Sequence, residues 1–89
     1  MQTISILVKG LVQGVYYRQS AKEKAISLSI TGTVKNLPDG KVELIATGDA
    51  AQLKDLINWC RQGPSRAIVT EIKTNELPLQ QFSDFRIIR

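Results

Sequence analysis

The stretch "TGTVKNLPDGKVELIATG", Thr31 to Gly48, decides the fold. Pro38-Asp39-Gly40 is a turn: proline presets φ, and glycine permits positive φ. Val42, Leu44 and Ala46 alternate with Lys41, Glu43, Ile45 and Thr47. That period of two predicts a strand at about Lys41–Thr47, paired through the turn with one at about Thr31–Asn36. In the earlier strand Val34 and Asn36 share a parity. The unit is a hairpin.

Outward from the hairpin the pattern changes to helical on both sides. A helix is expected from about Arg18 to Leu28, with Tyr17, Ala21, Ala25 and Leu28 on one face and Lys22, Glu23 and Lys24 largely outside it. After the hairpin, Asp49 is an N-cap and Gln52 stands three residues on, close to a capping box. Leu53, Leu56, Ile57 and Cys60 form the buried stripe, Trp59 lies beside it, and Gly63-Pro64 stops the helix. Beyond the helices come "TISILVK", with Ile4, Ile6 and Val8 on one face, and "AIVTEIKT", Ala67–Thr74. "NELPLQQ" reads as a loop, and "FSDFRIIR" as a closing strand with Phe85 and Ile87 inward. The order is β-α-β-β-α-β plus a short C-terminal strand. It predicts an α+β, ferredoxin-like sandwich, an antiparallel sheet with two helices on one face. This architecture hosts unrelated functions.

At 89 residues, with 43% hydrophobic and 22% charged residues, residues 1–89 are expected to form one globular domain. The single cysteine, Cys60, rules out an intrachain disulfide and fits a reducing compartment, so a cytoplasmic location is expected. No stretch reads as a signal peptide or a membrane span. The net charge of +4 suits an anionic partner, either a small phosphate compound or nucleic acid. The cations are scattered rather than clustered, which weighs against nucleic acid. The chain has no histidine, which removes the commonest general base near neutral pH and the commonest metal ligand.

"KGLVQGVYYRQSAKEKA", Lys9 to Ala25, joins the first strand to the first helix. Such a junction suits an anion, because the first helical N–H groups lack acceptors and the dipole adds positive charge. Gly10 and Gly14 would let the backbone curl so that successive N–H groups point inward. Arg18 brings a permanent planar cation that can grip two phosphate oxygens. The dipole disfavours a cation at a helix start by about 0.3–1 kcal/mol, which hints that Arg18 faces an anion. The alternative is a plain tight turn. The stretch is neither a P-loop nor G-x-G-x-x-G, and no cysteine precedes the arginine.

"GLVQGVYYR", Gly10 to Arg18, resembles the acylphosphatase family signature G-x-V-Q-G-V-x-[FY]-R at every specified position. "GTVKNLPDGKVELIATG", Gly32 to Gly48, resembles the second signature, G-[FYW]-[AVC]-[KRQAM]-N-x₃-G-x-V-x₅-G, except that Thr33 replaces an aromatic residue. Gly63-Pro64 and the closing "FRI" also fit, so the resemblance spans nearly the whole chain. Ser29 stands where the family often has glycine after the helix. By strand parity Thr33 points away from the helices, so both departures bear on stability rather than chemistry.

The resemblance implies hydrolysis of the carboxyl–phosphate bond of small acyl phosphates, with no metal and no cofactor. It implies that Arg18 binds the phosphate and that Asn36 holds the attacking water. Backbone N–H groups of Leu11, Val12, Gln13, Gly14, Val15, Tyr16, Tyr17 and Arg18 would complete the phosphate loop. Tyr17 is expected in the core, and Tyr16 near the mouth of the site. The parity of Asn36 with Val34 lets it point toward the loop. The expected partner is a small acyl phosphate met by a monomer, with no nucleic acid and no membrane. The competing reading is a phosphate- or nucleic-acid-binding module without turnover. Against nucleic acid, the strand residues facing away from the helices, Ser5, Leu7, Thr33, Lys35 and Ile45, include no aromatic ring on which a base could stack.

Overall fold

The computed structural model describes residues 1–88. Arg89, expected within the closing strand, lies outside the described residues. The elements are β1 (Gln2–Leu11), α1 (Tyr17–Ser27), β2 (Thr31–Asn36), β3 (Val42–Gly48), α2 (Ala50–Gln62), β4 (Ile68–Leu77) and β5 (Phe85–Ile88). They form one five-stranded sheet in the order β4-β1-β3-β2-β5. The ferredoxin-like sandwich is the fold expected from the hairpin and its flanking helices.

The first four strands pair antiparallel, with Asn36 opposite Val42 at the end of the hairpin. The fifth departs from the all-antiparallel expectation: β5 lies parallel to β2, so the sheet is mixed. The cause is where the chain leaves β4. Leu77 sits opposite Thr3, at the end of the sheet where β1 and β2 both begin. The chain crosses that end and enters beside β2 from the same side. The crossing is pinned by a buried polar cluster. The Thr3 and Thr47 hydroxyls lie 2.7 Å apart, the Gln80 N–H donates to Thr3 Oγ1 at 2.9 Å, and Thr47 Oγ1 donates to the Gln80 carbonyl at 2.8 Å.

One core fills the space between sheet and helices. Ile6, Val8, Val34, Val42 and Leu44 from the strands meet Tyr17, Ala21, Ala25, Leu56 and Cys60 from the helices, all essentially without solvent contact. The period-two and helical patterns therefore mark the buried faces correctly. Trp59 packs half-buried, its ring 5.4 Å from that of Tyr17. α2 starts as expected, with the Asp49 N–H donating to Gln52 Oε1 at 2.8 Å. Ser29 adopts φ 60° after α1, a conformation that costs a non-glycine residue about 1 kcal/mol.

Two strands run longer than the sequence pattern suggests. β4 continues through Asn75-Glu76-Leu77, because an edge strand exposed at that end needs no alternation. β1 continues through Gly10 to Leu11, past a register shift between Lys9 and Gly10. Gly10 has φ 137°, and a Cβ there would fall 2.1 Å from the Ile68 carbonyl oxygen. Gly10 thus serves the close approach of β4 inside the sheet; it does not curl the loop.

Candidate active site

The segment between β1 and α1 is short and anchored from below. Val12 is buried at 1% exposure and Val15 packs against the core. Between and beyond these anchors, Gly14 (φ 75°) and Tyr16 (φ 62°) take left-handed backbone conformations. Alternating handedness of this kind turns successive N–H groups toward a common concavity. Nothing lies within 4 Å of a Cβ built on Gly14, so its need for glycine is purely one of φ. Tyr16 holds the same kind of conformation without being glycine, at a cost of about 1–2 kcal/mol.

Tyr16 is also the residue that precedes α1, and it provides no side-chain cap. No acidic residue lies in the first turn. The N–H groups at the start of α1 therefore keep their unmet donors and the positive end of the dipole unscreened. Arg18, half-buried in that first turn, makes no salt bridge with any described residue.

The fold brings Asn36 to the same place. β2 ends at Asn36 with its side chain on the helix side of the sheet, as parity with Val34 requires. Val12, Gly14, Tyr16, Tyr17, Arg18, Gln19, Asn36 and Ile87 line an open depression of about 370 Å³. Among the described residues, the one buried side-chain oxygen or nitrogen lacking a hydrogen-bond partner is Asn36 Oδ1. Such an acceptor costs about 1–3 kcal/mol relative to a paired one.

Of the residues expected at the site, Val12, Gly14, Tyr16, Tyr17, Arg18 and Asn36 line the depression together. Leu11 ends β1 with its side chain largely in solvent. The Gln13 side chain points elsewhere: its Nε2 donates to the Leu37 carbonyl at 2.8 Å and the Lys41 carbonyl at 2.9 Å. Those carbonyls flank the hairpin turn, where the Leu37 N–H donates to the Lys41 carbonyl at 2.8 Å. Gln13 thus ties the loop to the residue next to Asn36. The residue itself is conspicuous in the sequence, but nothing local in the pattern announces this role. Gln19 and Ile87 also line the depression; the sequence places Ile87 only as an inward strand residue.

Tyr17 and Cys60 lie behind the site. The Tyr17 hydroxyl donates to the Cys60 carbonyl at 2.7 Å, joining the start of α1 to the end of α2. Burial raises the Tyr17 pKa far above its ordinary value and pushes the Cys60 thiol up to about 12. Both groups are neutral and inert across the physiological range.

A ferredoxin-like sandwich whose sheet end carries an uncapped helix start, a half-buried arginine and a neutral amide has the outline of a small-anion enzyme rather than a stacking surface. Comparison with known proteins makes the class particular. The acylphosphatase family profile matches residues 4–87. An acylphosphatase of Marinobacter nauticus is 56% identical over 82 residues, covering 91% of this chain and 89% of the relative. The structure of an acylphosphatase from Coxiella burnetii superposes with a TM-score of 0.95 at 40% identity, covering 98% of this chain and 92% of that one. That of acylphosphatase from Bacillus subtilis does so at 0.97 and 32% identity, with both chains fully covered. The chain belongs to the acylphosphatase family. Its activity is that of a hydrolase acting on acyl phosphates.

Proposed function

We propose that the phosphoryl group of an acyl phosphate sits in the depression between residues 12–18 and Asn36, that Arg18 and the loop amides hold it, and that Asn36 positions the attacking water. The observation that carries this reading is that Asn36, whose buried Oδ1 has no hydrogen-bond partner, lines the same depression as the uncapped start of α1.

The chemistry needs little more. The leaving group is a carboxylate, so no strong acid is required at the departing oxygen. A water held by the Asn36 amide keeps a lone pair free to attack phosphorus. A neutral amide cannot take the proton at neutral pH, but it can orient the water. The new phosphorus–oxygen bond forms as the bond to the acyl oxygen breaks, and the water's proton passes to a phosphoryl oxygen of the substrate. Arg18 and the amides stabilise charge on the equatorial oxygens, the dominant demand in phosphoryl transfer. Positioning contributes the rest. The absence of histidine is consistent with this reaction.

We also read residues 1–89 as a single domain that acts as a monomer in the cytoplasm. The shared core and the lone Cys60 support this, and size-exclusion chromatography with light scattering checks the monomer.

The decisive experiment follows benzoyl phosphate hydrolysis in ¹⁸O-labelled water with a chelator present. Label is expected in phosphate and not in benzoate. Arg18→Ala and Asn36→Ala are each expected to lose at least about a hundredfold in turnover, with unchanged circular dichroism. Label in benzoate, or near-normal rates in both variants, overturns the assignment of roles.

A further inference from the structure

With its phosphoryl group in the cradle, a bound acyl phosphate projects its acyl group outward past the lip of the depression. The polar side of that depression is Arg18, Asn36 and Gln19. Its apolar lining is Val12, Tyr17, Tyr16 and Ile87, but Val12 and Tyr17 are sealed at 1% exposure. Tyr16 and Ile87 remain as the apolar surface a substrate can reach. Tyr16 is 79% exposed, the one exposed aromatic ring among the described residues. Its hydroxyl makes no hydrogen bond to a described residue, so the ring is not held there by a structural partner.

The backbone sharpens the point. Residue 16 has φ 62°, ψ 23°, a conformation that glycine adopts without strain. A glycine would preserve the turn and relieve that strain. What the tyrosine adds is a flat, exposed ring on a residue that lines the depression, and an unpartnered ring gains most from a second apolar or aromatic surface laid against it. The volume supports this use. About 370 Å³ is roughly tenfold the share of one liquid water, far more than a phosphoryl group fills.

We propose that Tyr16 is a specificity-determining residue that receives the acyl group, selecting acyl phosphates with an aromatic or extended apolar acyl moiety over acetyl phosphate, with Ile87 as the facing wall. The proposal rests on the placement of the phosphoryl group described above.

The test compares kcat/KM for benzoyl phosphate with kcat/KM for acetyl phosphate. The ratio cancels any change in the cradle that both substrates share. Wild type should prefer benzoyl phosphate. Tyr16→Ala and Tyr16→Gly should each lower the ratio roughly three- to tenfold, the worth of one aromatic contact, mainly through KM. Tyr16→Phe should keep the ratio within twofold of wild type, because the ring and not the hydroxyl is the contact. Tyr16→Gly should also melt no lower than wild type, which separates loss of recognition from loss of structure. A wild type without preference, or a Tyr16→Ala ratio within twofold of wild type, overturns the proposal. Label in benzoate in the ¹⁸O experiment removes the placement on which it rests, and the proposal falls with it.

Discussion

The chain contains two helix starts, and it treats them in opposite ways. α2 opens on Asp49 in extended backbone, with Gln52 closing back on the Asp49 N–H. α1 opens on a left-handed Tyr16 that caps nothing, follows it with no acid, and places Arg18 in the first turn against the dipole. The same physics would stabilise both helices if both were capped. Leaving one open keeps N–H donors and positive charge for an anion from outside. On the proposed placement of the phosphoryl group, the difference separates a helix end that serves the fold from one that serves the substrate.

The largest break in that contrast is Arg18→Ala. Turnover should fall by about a hundred- to a thousandfold, while the melting temperature stays within a degree or two, because Arg18 pairs with no described group. Arg18→Lys should recover only part of the rate, since a point charge cannot reproduce the two-pronged grip proposed for the guanidinium.

Next in size is the alkaline limb of stability, read through the Tyr17–Cys60 link between the two helices. Both groups have folded pKa values raised above their unfolded ones, and Cys60 moves from the usual value near 9 to about 12. The neutral forms are the ones the fold holds. The Cys60 contribution is fully present below about pH 9 and is lost as pH rises toward 12, while that of Tyr17 begins to fall only above its ordinary value near 10. Differential scanning calorimetry should show a nearly flat melting temperature from pH 6 to 8.5, then a drop of roughly ten degrees by pH 11. Cys60→Ala should make that drop shallower.

A third test loosens the open end without touching its charges. Gln13→Ala removes the donor that ties residues 12–16 to the hairpin carrying Asn36. The expected result is roughly a tenfold loss in kcat, with a smaller change in inhibition by inorganic phosphate, since misplacement harms alignment more than grip. An equal loss in both would make Gln13 part of the phosphate site itself.

The smallest effect belongs to the closed end. Asp49→Ala should cost about 1 kcal/mol of stability, or some 4–8 °C in melting temperature for a domain of this size. Its kcat/KM should be unchanged. If activity fell with it, the two helix starts would not be separable.

Much of this was legible in the residues. The Pro38-Asp39-Gly40 turn, the alternation around it and the Asp49–Gln52 pair placed the hairpin and both helices within a residue or two. The parity of Asn36 with Val34 put it on the helix side. These features depend on local periodicity, which a sequence displays directly. The parallel seat of β5 depends instead on which end of the sheet the chain leaves after Leu77, a long-range matter. Gly10 resembled a loop glycine because the loop follows it, yet its constraint comes from Ile68, far along the chain. Gln13 was visible as a residue but not as a clamp, because its partners are main-chain carbonyls at Leu37 and Lys41.

That last feature has a consequence for how the protein can change. A contact with main chain reads the path of the hairpin and is blind to its side chains. Substitutions at positions 38 to 40 that keep the turn leave both acceptors where they are. Adding or deleting a single residue there shifts one carbonyl relative to the other and breaks the pair. The turn should therefore accept many residue types in a mutational library and reject changes in length.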